Sequence, residues 1–265
     1  MNMLTIGFVG SGQIAQAMIK GWTGNSEIEQ LVYSKNHATK VADAFGIEAR
    51  RSVLELWQDS DIVILAVPET GLRALAPQLQ MAAMVKPSVI VTSVVDGVDF
   101  ETLHQLLGEK LMITRALPNI NVAVREGYTG LAFESDIDEE VKGAIAMLFL
   151  ELGRADEYAE HQFGAVSALA SAGPAYVASF ADVLAHAAIE NDIDIERAVW
   201  MVEQTLFGTA TRMKKMQESP KMVEQAAAPT DSAAKAGLDA LAASEFTASI
   251  KAAIQTARNV SEKNN

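Results

Sequence analysis

Residues 4–9 (LTIGFV) form an apolar, strand-like run that passes directly into Gly10-Ser11-Gly12-Gln13-Ile14-Ala15, a G-x-G-x-x-A pattern that opens a helix-like segment at 13–21. Nothing else in the chain restricts its fold as strongly. In a strand–loop–helix of this kind the small residues do different things. Gly10 permits the tight turn, Gly12 lets the backbone approach a pyrophosphate, and Ala15 allows close packing of helix on sheet. The N–H groups freed at the helix start, from Ser11 to Gln13 and Ile14, are then expected to hold the phosphates of a dinucleotide.

The pattern downstream agrees. Strand-like runs at 30–34, 61–67, 88–94 and 111–115 alternate with helix-like segments at 38–45, 70–83 and 99–107. That alternation predicts βαβ units, hence an α/β fold with a Rossmann-type doubly wound parallel sheet. Glycine then thins out, with 15 of 17 at or before Gly173, while 25 of the 105 residues from 161 onward are alanine. This second region reads as helices over about 163–190, 195–216, 219–227, 232–242 and 246–262. Asp194 and Ser219-Pro220 supply cap and first-turn chemistry, and Pro174 is expected to break or kink the first long helix. The expected domains are therefore 1–158, a dinucleotide-binding Rossmann domain, and 159–265, an all-α dimerisation domain, to which the family resemblance described below adds the substrate role. The small side chains of 159–265 leave a lone copy a thin core, so a homodimer is expected.

Ligands of doubly wound sheets lie outside the carboxyl ends of the strands. The second strand ends in Ser34-Lys35-Asn36, where an NAD-binding chain would place a carboxylate for the ribose 2′-OH. A hydroxyl, an ammonium and an amide can all donate to a 2′-phosphate, so NADP(H) is favoured over NAD(H). Later strand ends add Ala66-Val67-Pro68 and Ser93 as cofactor-facing candidates, and Pro118-Asn119 as a rigid turn that could hold a nicotinamide or substrate edge or be structural only.

Charge narrows the function classes. With 21 basic and 34 acidic residues the net charge is −13, and dividing the chain after residue 155 leaves −7 and −6. Neither half has the positive field that a nucleic-acid or anionic-membrane partner needs. Without cysteine there are no disulfides, thiol nucleophiles or Cys-ligated metals. Asp182, His186 and Glu190 share a helix face without a zinc-hydrolase context, so no metal site is expected. No G-x-S-x-G elbow or P-loop occurs. The N-terminus has no signal-peptide pattern, and the longest apolar runs, such as Ile62–Val67, are shorter than a membrane span. A cytoplasmic protein is the expectation.

Three blocks, Gly7 to Ala17, Arg115-Ala116-Leu117-Pro118-Asn119 and Ala172-Gly173-Pro174-Ala175-Tyr176, stand in the order and spacing of the pyrroline-5-carboxylate reductase family, which the chain resembles over nearly its full length. The resemblance implies NAD(P)H-dependent reduction of a C=N bond, 1-pyrroline-5-carboxylate to L-proline, as a step of proline biosynthesis. It further implies an interleaved dimer, often assembled into decamers. The family's substrate loop, Ser-Pro-Gly-Gly-Thr-Thr, is replaced by Pro229-Thr230-Asp231-Ser232-Ala233-Ala234-Lys235 in the same place. Either Thr230, Ser232 or Lys235 takes over the catalytic and carboxylate-binding roles, or the chain reduces a different imine or keto substrate, or it is a non-catalytic NADP-binding regulator. A β-hydroxyacid dehydrogenase would carry a lysine four residues after Gly173, where Val177 stands.

Overall fold

The computed structural model describes residues 3–263. The expected alternation is present as β1 (Leu4–Val9), α1 (Gln13–Trp22), β2 (Ile28–Tyr33), α2 (Ala38–Phe45), β3 (Glu48–Ala49), α3 (Val53–Asp59), β4 (Ile62–Leu65), α4 (Glu69–Val85), β5 (Ile90–Ser93), α5 (Phe100–Leu107) and β6 (Met112–Pro118). These strands are parallel in the order β3-β2-β1-β4-β5-β6, with Ile6 opposite both Gln30 and Ile62. Strand order therefore reverses between β1 and β4, which opens a crevice at their carboxyl ends.

Both faces of the sheet are covered, which is why β4 reads as an uninterrupted Ile-Val-Ile-Leu, buried throughout. On one face Val63, Leu65 and Val91 pack with Trp57, Leu72 and Leu103. On the other, Ile6, Phe8 and Ile64 pack with Met18 and Trp22. Local chemistry starts the helices: Ser52 accepts from the Glu55 N–H at 3.1 Å to cap α3, and Asp99 from the Thr102 N–H at 2.8 Å to cap α5.

The sheet is not wholly parallel. Beyond β6 come β7 (Gly127–Phe133), α6 (Glu139–Leu150) and β8 (Gly153–Glu157), and β7 runs antiparallel to β6 while β8 runs parallel to β7. Only the 3₁₀ turn Ile120–Val124 and three further residues separate β6 from β7, too short for a parallel crossover.

The chain divides into two compact units, one running to Pro174 and resumed from Ala257, the other spanning Ala175–Thr256. Within the first, α7 (Phe163–Val166) leads through a π-helical turn, Ser167–Ser171, into α8 (Gly173–Ile189). The expected break at Pro174 is absorbed by that turn, in which the Ala172 N–H reaches the Ser167 carbonyl at 3.0 Å. Pro174 has no N–H for the carbonyl of Ala170, and Asn119 Nδ2 supplies the donor instead at 3.2 Å.

The second unit holds most of α8, then α9 (Ile195–Met216), α10 (Pro220–Ala227), α11 (Ala233–Ala243) and the start of α12 (Phe246–Lys263). Asp194 caps α9, and Ser219 caps α10 with Pro220 in its first turn, as read from the sequence. Phe180 and Phe246 meet with ring centroids 6.4 Å apart, while Val177, Val183, Trp200 and Phe207 lie exposed. One expectation needs correction here. The continuous helical run Glu160–Ile189 is long and apolar enough to cross a bilayer by length and composition, with mean hydropathy 1.3 in its best window. It escapes a search for apolar runs because alanines raise its hydropathy between isolated polar residues. The same composition suits a helix covered by another polypeptide.

Candidate functional site

The loop after β1 is fixed by its neighbours. Gly10 has a φ of 115°, and a Cβ there would lie 2.2 Å from the Ala66 carbonyl oxygen, so only glycine fits between β1 and the end of β4. Its N–H donates to the Tyr33 carbonyl at 2.8 Å. Gln16 Nε2 donates to the Ser11 carbonyl at 2.8 Å and ties the loop to the helix it opens.

Gly12 is different. It is the N-cap of α1, no side chain caps that helix, its first turn has no acidic residue, and a Cβ on Gly12 would meet nothing within 4 Å. Packing within the protein therefore does not demand glycine at this position. What glycine leaves is open space in front of uncapped N–H groups, the arrangement that accepts a phosphate.

That space is part of a cavity of about 470 Å³. Its walls are Gly10 to Gly12, then Tyr33, Ser34 and Lys35 after β2, Ala66 to Pro68 after β4, and one side of α4 through Gly71, Ala74, Leu75 and Gln78. Ser34 Oγ accepts from the His37 N–H at 3.2 Å, which leaves its own proton to donate. Among the described lining residues Lys35 is the one charged side chain. A donor-rich rim without carboxylates fits a ligand carrying a phosphate on its ribose, so the residues present fit NADP(H).

The structure thus brings together Gly10, Ser11, Gly12, Ser34, Lys35, Ala66, Val67 and Pro68. Gln13 and Ile14 form the adjoining first turn of α1, and Asn36 follows Lys35 without lining the cavity. Ser93 is buried at the end of β5. Pro118 closes β6, and Asn119 is engaged by the protein: besides its bond to Ala170, its Oδ1 accepts from the N–H groups of Asn121 at 3.1 Å and Tyr128 at 3.3 Å. Thr230, Ser232 and Lys235 belong to the second unit. Thr230 is exposed, Ser232 Oγ caps α11 by accepting from the Lys235 N–H at 3.1 Å, and Lys235 Nζ pairs with Asp239. Between Thr230 and Ser232, Asp231 takes a left-handed φ of 63°.

Two features have no counterpart among the residues expected from sequence. The α4 wall at 71, 74, 75 and 78 has helical i, i+3, i+4, i+7 spacing, a signal that was available. Arg115, only 2% exposed, bonds Glu160 Oε1 at 2.6 Å and stacks 4.7 Å from the Phe163 ring, while the same carboxylate oxygen accepts the Phe100 N–H at 2.7 Å. An arginine inside the apolar strand 112–118 was the clue to a buried partner.

Comparison with known proteins places this architecture. Residues 160–264 match the family model for pyrroline-5-carboxylate reductase dimerisation, and residues 5–96 match one described as NADP oxidoreductase, coenzyme F420-dependent. A pyrroline-5-carboxylate reductase of Aquifex aeolicus is 29% identical over 219 residues, covering 82% of this chain and 81% of that protein. Pyrroline-5-carboxylate reductase 2 of Bacillus subtilis is 28% identical over 256 residues, 94% and 90% of the two chains. The chain belongs to the pyrroline-5-carboxylate reductase family. The crystal structure of 1-pyrroline-5-carboxylate reductase from Streptococcus pyogenes superposes with a TM-score of 0.88 at 25% identity, covering 99% of this chain and all of that one. Membership also bears on the apolar run 160–189, which lies inside the dimerisation match. Its exposed side chains belong to a region used in this family for oligomerisation.

Proposed function

We propose that the chain is an oxidoreductase that reduces 1-pyrroline-5-carboxylate to L-proline with NADP(H), NAD(H) serving less well, and that it works as a homodimer that can assemble into decamers. The observation that carries this reading is the uncapped, glycine-fronted start of α1 facing a cavity whose only described charge is Lys35, in a chain of this family. The cofactor supplies a hydride to the carbon of the C=N bond. The chain's part is to bind, orient and provide one proton. N–H groups at the start of α1, Gln13 and Ile14 among them, hold the pyrophosphate. The Ser34 hydroxyl, the Lys35 ammonium and the Asn36 amide donate to the 2′-phosphate.

Ala66, Val67 and Pro68 present small surfaces to the cofactor at the end of β4, and Ser93 with Pro118 and Asn119 shape the sheet edge farther along. In the second unit, the Thr230 and Ser232 hydroxyls are the candidates for hydrogen-bonding the ring nitrogen. Ser232 accepts at its oxygen in capping α11 and keeps its proton for that purpose. Lys235 is the candidate for drawing in the substrate carboxylate. We assign cofactor binding to 1–158, and dimerisation and substrate binding to 159–265, a functional division that differs from the two compact units, whose boundaries fall after Pro174 and before Ala257.

A second reading, reduction of a different imine or a keto acid, is favoured by one observation: the Lys235 ammonium already pairs with Asp239. Purified protein with NADPH, offered 1-pyrroline-5-carboxylate beside a panel of other cyclic imines and 2-keto acids, separates the two. Oxidation of NADPH with 1-pyrroline-5-carboxylate as the preferred substrate supports the first; turnover confined to another compound supports the second. NADPH bound without turnover of any of them would indicate a non-catalytic NADP-binding protein.

A further inference from the structure

Asp96 follows β5 in the segment Ser93-Val94-Val95-Asp96-Gly97, at the carboxyl edge of the sheet, and lines no part of the dinucleotide cavity. Its carboxylate holds two segments distant in sequence. Ser167 Oγ, in the π-helical turn before α8, donates to Oδ2 at 2.6 Å. Ser261 Oγ, in the last turns of α12, donates to Oδ1 at 2.8 Å. Both serines are nearly excluded from solvent, at 7% and 5% exposure, whereas Asp96 itself is exposed.

A second contact brings the same segments together. Glu262 Cγ lies 2.7 Å from where a Cβ on Gly164 would stand, so the Glu262 side chain of α12 packs over the open Cα of Gly164 in α7. The partition of the chain gives these contacts their meaning. The backbone leaves the first compact unit at Pro174 and rejoins it at Ala257. Ser167 lies seven residues before the exit and Ser261 four residues after the return, and one carboxylate holds both.

We propose that Asp96 is a positioning residue for the reduction: it clasps, at the edge of the cofactor-binding sheet, the two segments of chain that carry the helical unit with the 229–235 loop. Asp96 lies outside the lining of the dinucleotide cavity, and its role is exerted through the two serines. By fixing where the helical unit departs and returns, it restricts the freedom with which that loop is presented. Ordered end points reduce the conformational entropy lost when a substrate is oriented for transfer, so their release shows in substrate KM and kcat and leaves dinucleotide affinity unchanged. The catalytic consequence rests on the reductase reading of the previous section; the clasp itself does not.

Four variants of the full-length chain test it: Asp96→Ala, Ser261→Ala, the double variant, and Ser261→Thr, which keeps the hydroxyl. Hydrogen exchange read on peptides covering 257–263 reports the clasp without reference to activity. Asp96→Ala and Ser261→Ala are each expected to speed exchange there by roughly tenfold or more, because each removes a hydrogen bond involving a charged group. The double variant should go no further than the single ones at this segment, since both delete the same bond, and Ser261→Thr should stay near the parent. NADPH affinity, measured by nicotinamide fluorescence, should remain within about twofold in all four.

With 1-pyrroline-5-carboxylate, KM should rise and kcat fall in the alanine variants and recover in Ser261→Thr. Unchanged exchange at 257–263 in Asp96→Ala, or additive effects in the double variant, would overturn the clasp. Released exchange with unaltered KM and kcat, in a parent that turns over the imine, would overturn its positioning role. A parent that reduces no imine yet shows the exchange pattern would keep the clasp and remove the reductase reading.

Discussion

The dinucleotide cradle and the loop before α11 are both turns into a helix start, yet they differ in what their neighbours demand. At the cradle, Gly10 is locked between β1 and the Ala66 carbonyl, and the helix behind it has no side-chain cap. At α11, Ser232 caps the helix, Lys235 pairs with Asp239, and the loop is largely exposed within its unit. A helix start left uncapped toward a cavity is poised for an anionic ligand; one that already satisfies its own N–H groups has fewer left to offer. Dinucleotide binding can therefore be assigned from one unit's geometry, while two of the three side chains proposed to meet the substrate, Ser232 and Lys235, are already engaged locally.

The largest expected effect breaks the first half of this contrast. Gly10→Ala would force a methyl into the Ala66 carbonyl at a backbone angle that L-residues avoid, and should weaken NADPH binding by roughly a hundredfold while lowering the melting temperature. Fluorescence titration and thermal unfolding check both. Next, Lys35→Glu sets a carboxylate against the 2′-phosphate; NADPH affinity should fall about tenfold or more while NADH affinity changes little. Equal losses for the two cofactors would remove Lys35 from the 2′-phosphate site.

The second half is sharpened at Ser232. Ser232→Ala removes the cap, about 1 kcal/mol of stability, and should lower kcat several-fold without altering NADPH affinity. Loss of stability at unchanged kcat would leave Ser232 as a cap alone. In the companion change, Ala233→Thr with Ala234→Thr should raise kcat/KM on 1-pyrroline-5-carboxylate by a few-fold.

The smallest effect lies away from both regions. Burial works against protonation of His104, but Glu134, accepting at 2.9 Å from Nε2, the Gly108 carbonyl and the nearby Glu109 outweigh it and raise its pKa. A raised folded-state pKa stabilises the protein fully below the unfolded value of about 6.5, and that contribution is lost as pH rises through the folded value. His104→Gln should therefore cost up to about 1 kcal/mol near pH 5.5 and less near pH 9 in urea unfolding, the pair being only partly buried.

How far these regions can be read from residues alone follows the same divide. The motif at 10–15, the strand ends at 34–35 and 66–68, and the caps at Asp194 and Ser219 rest on neighbours in sequence, and all were legible. β7 and β8 were not, because the glycines of Gly-Tyr-Thr-Gly-Leu-Ala-Phe and the polar Gly-Arg-Ala-Asp-Glu blur the strand pattern. Asn119 showed as a polar turn residue, but its service to the carbonyl that Pro174 leaves without a donor joins positions 51 residues apart. Ser261 and Asp96, 165 residues apart, carry no local signal of their pairing.

If the cradle serves a reductase, a hydride from NADPH held there must reach the C=N carbon of 1-pyrroline-5-carboxylate. The most direct measurement uses NADPH deuterated at the transferable position of the nicotinamide, with mass analysis of the product. Proline carrying the deuterium is the predicted result. Unlabelled proline, or no proline from protein shown to bind NADPH, would contradict it.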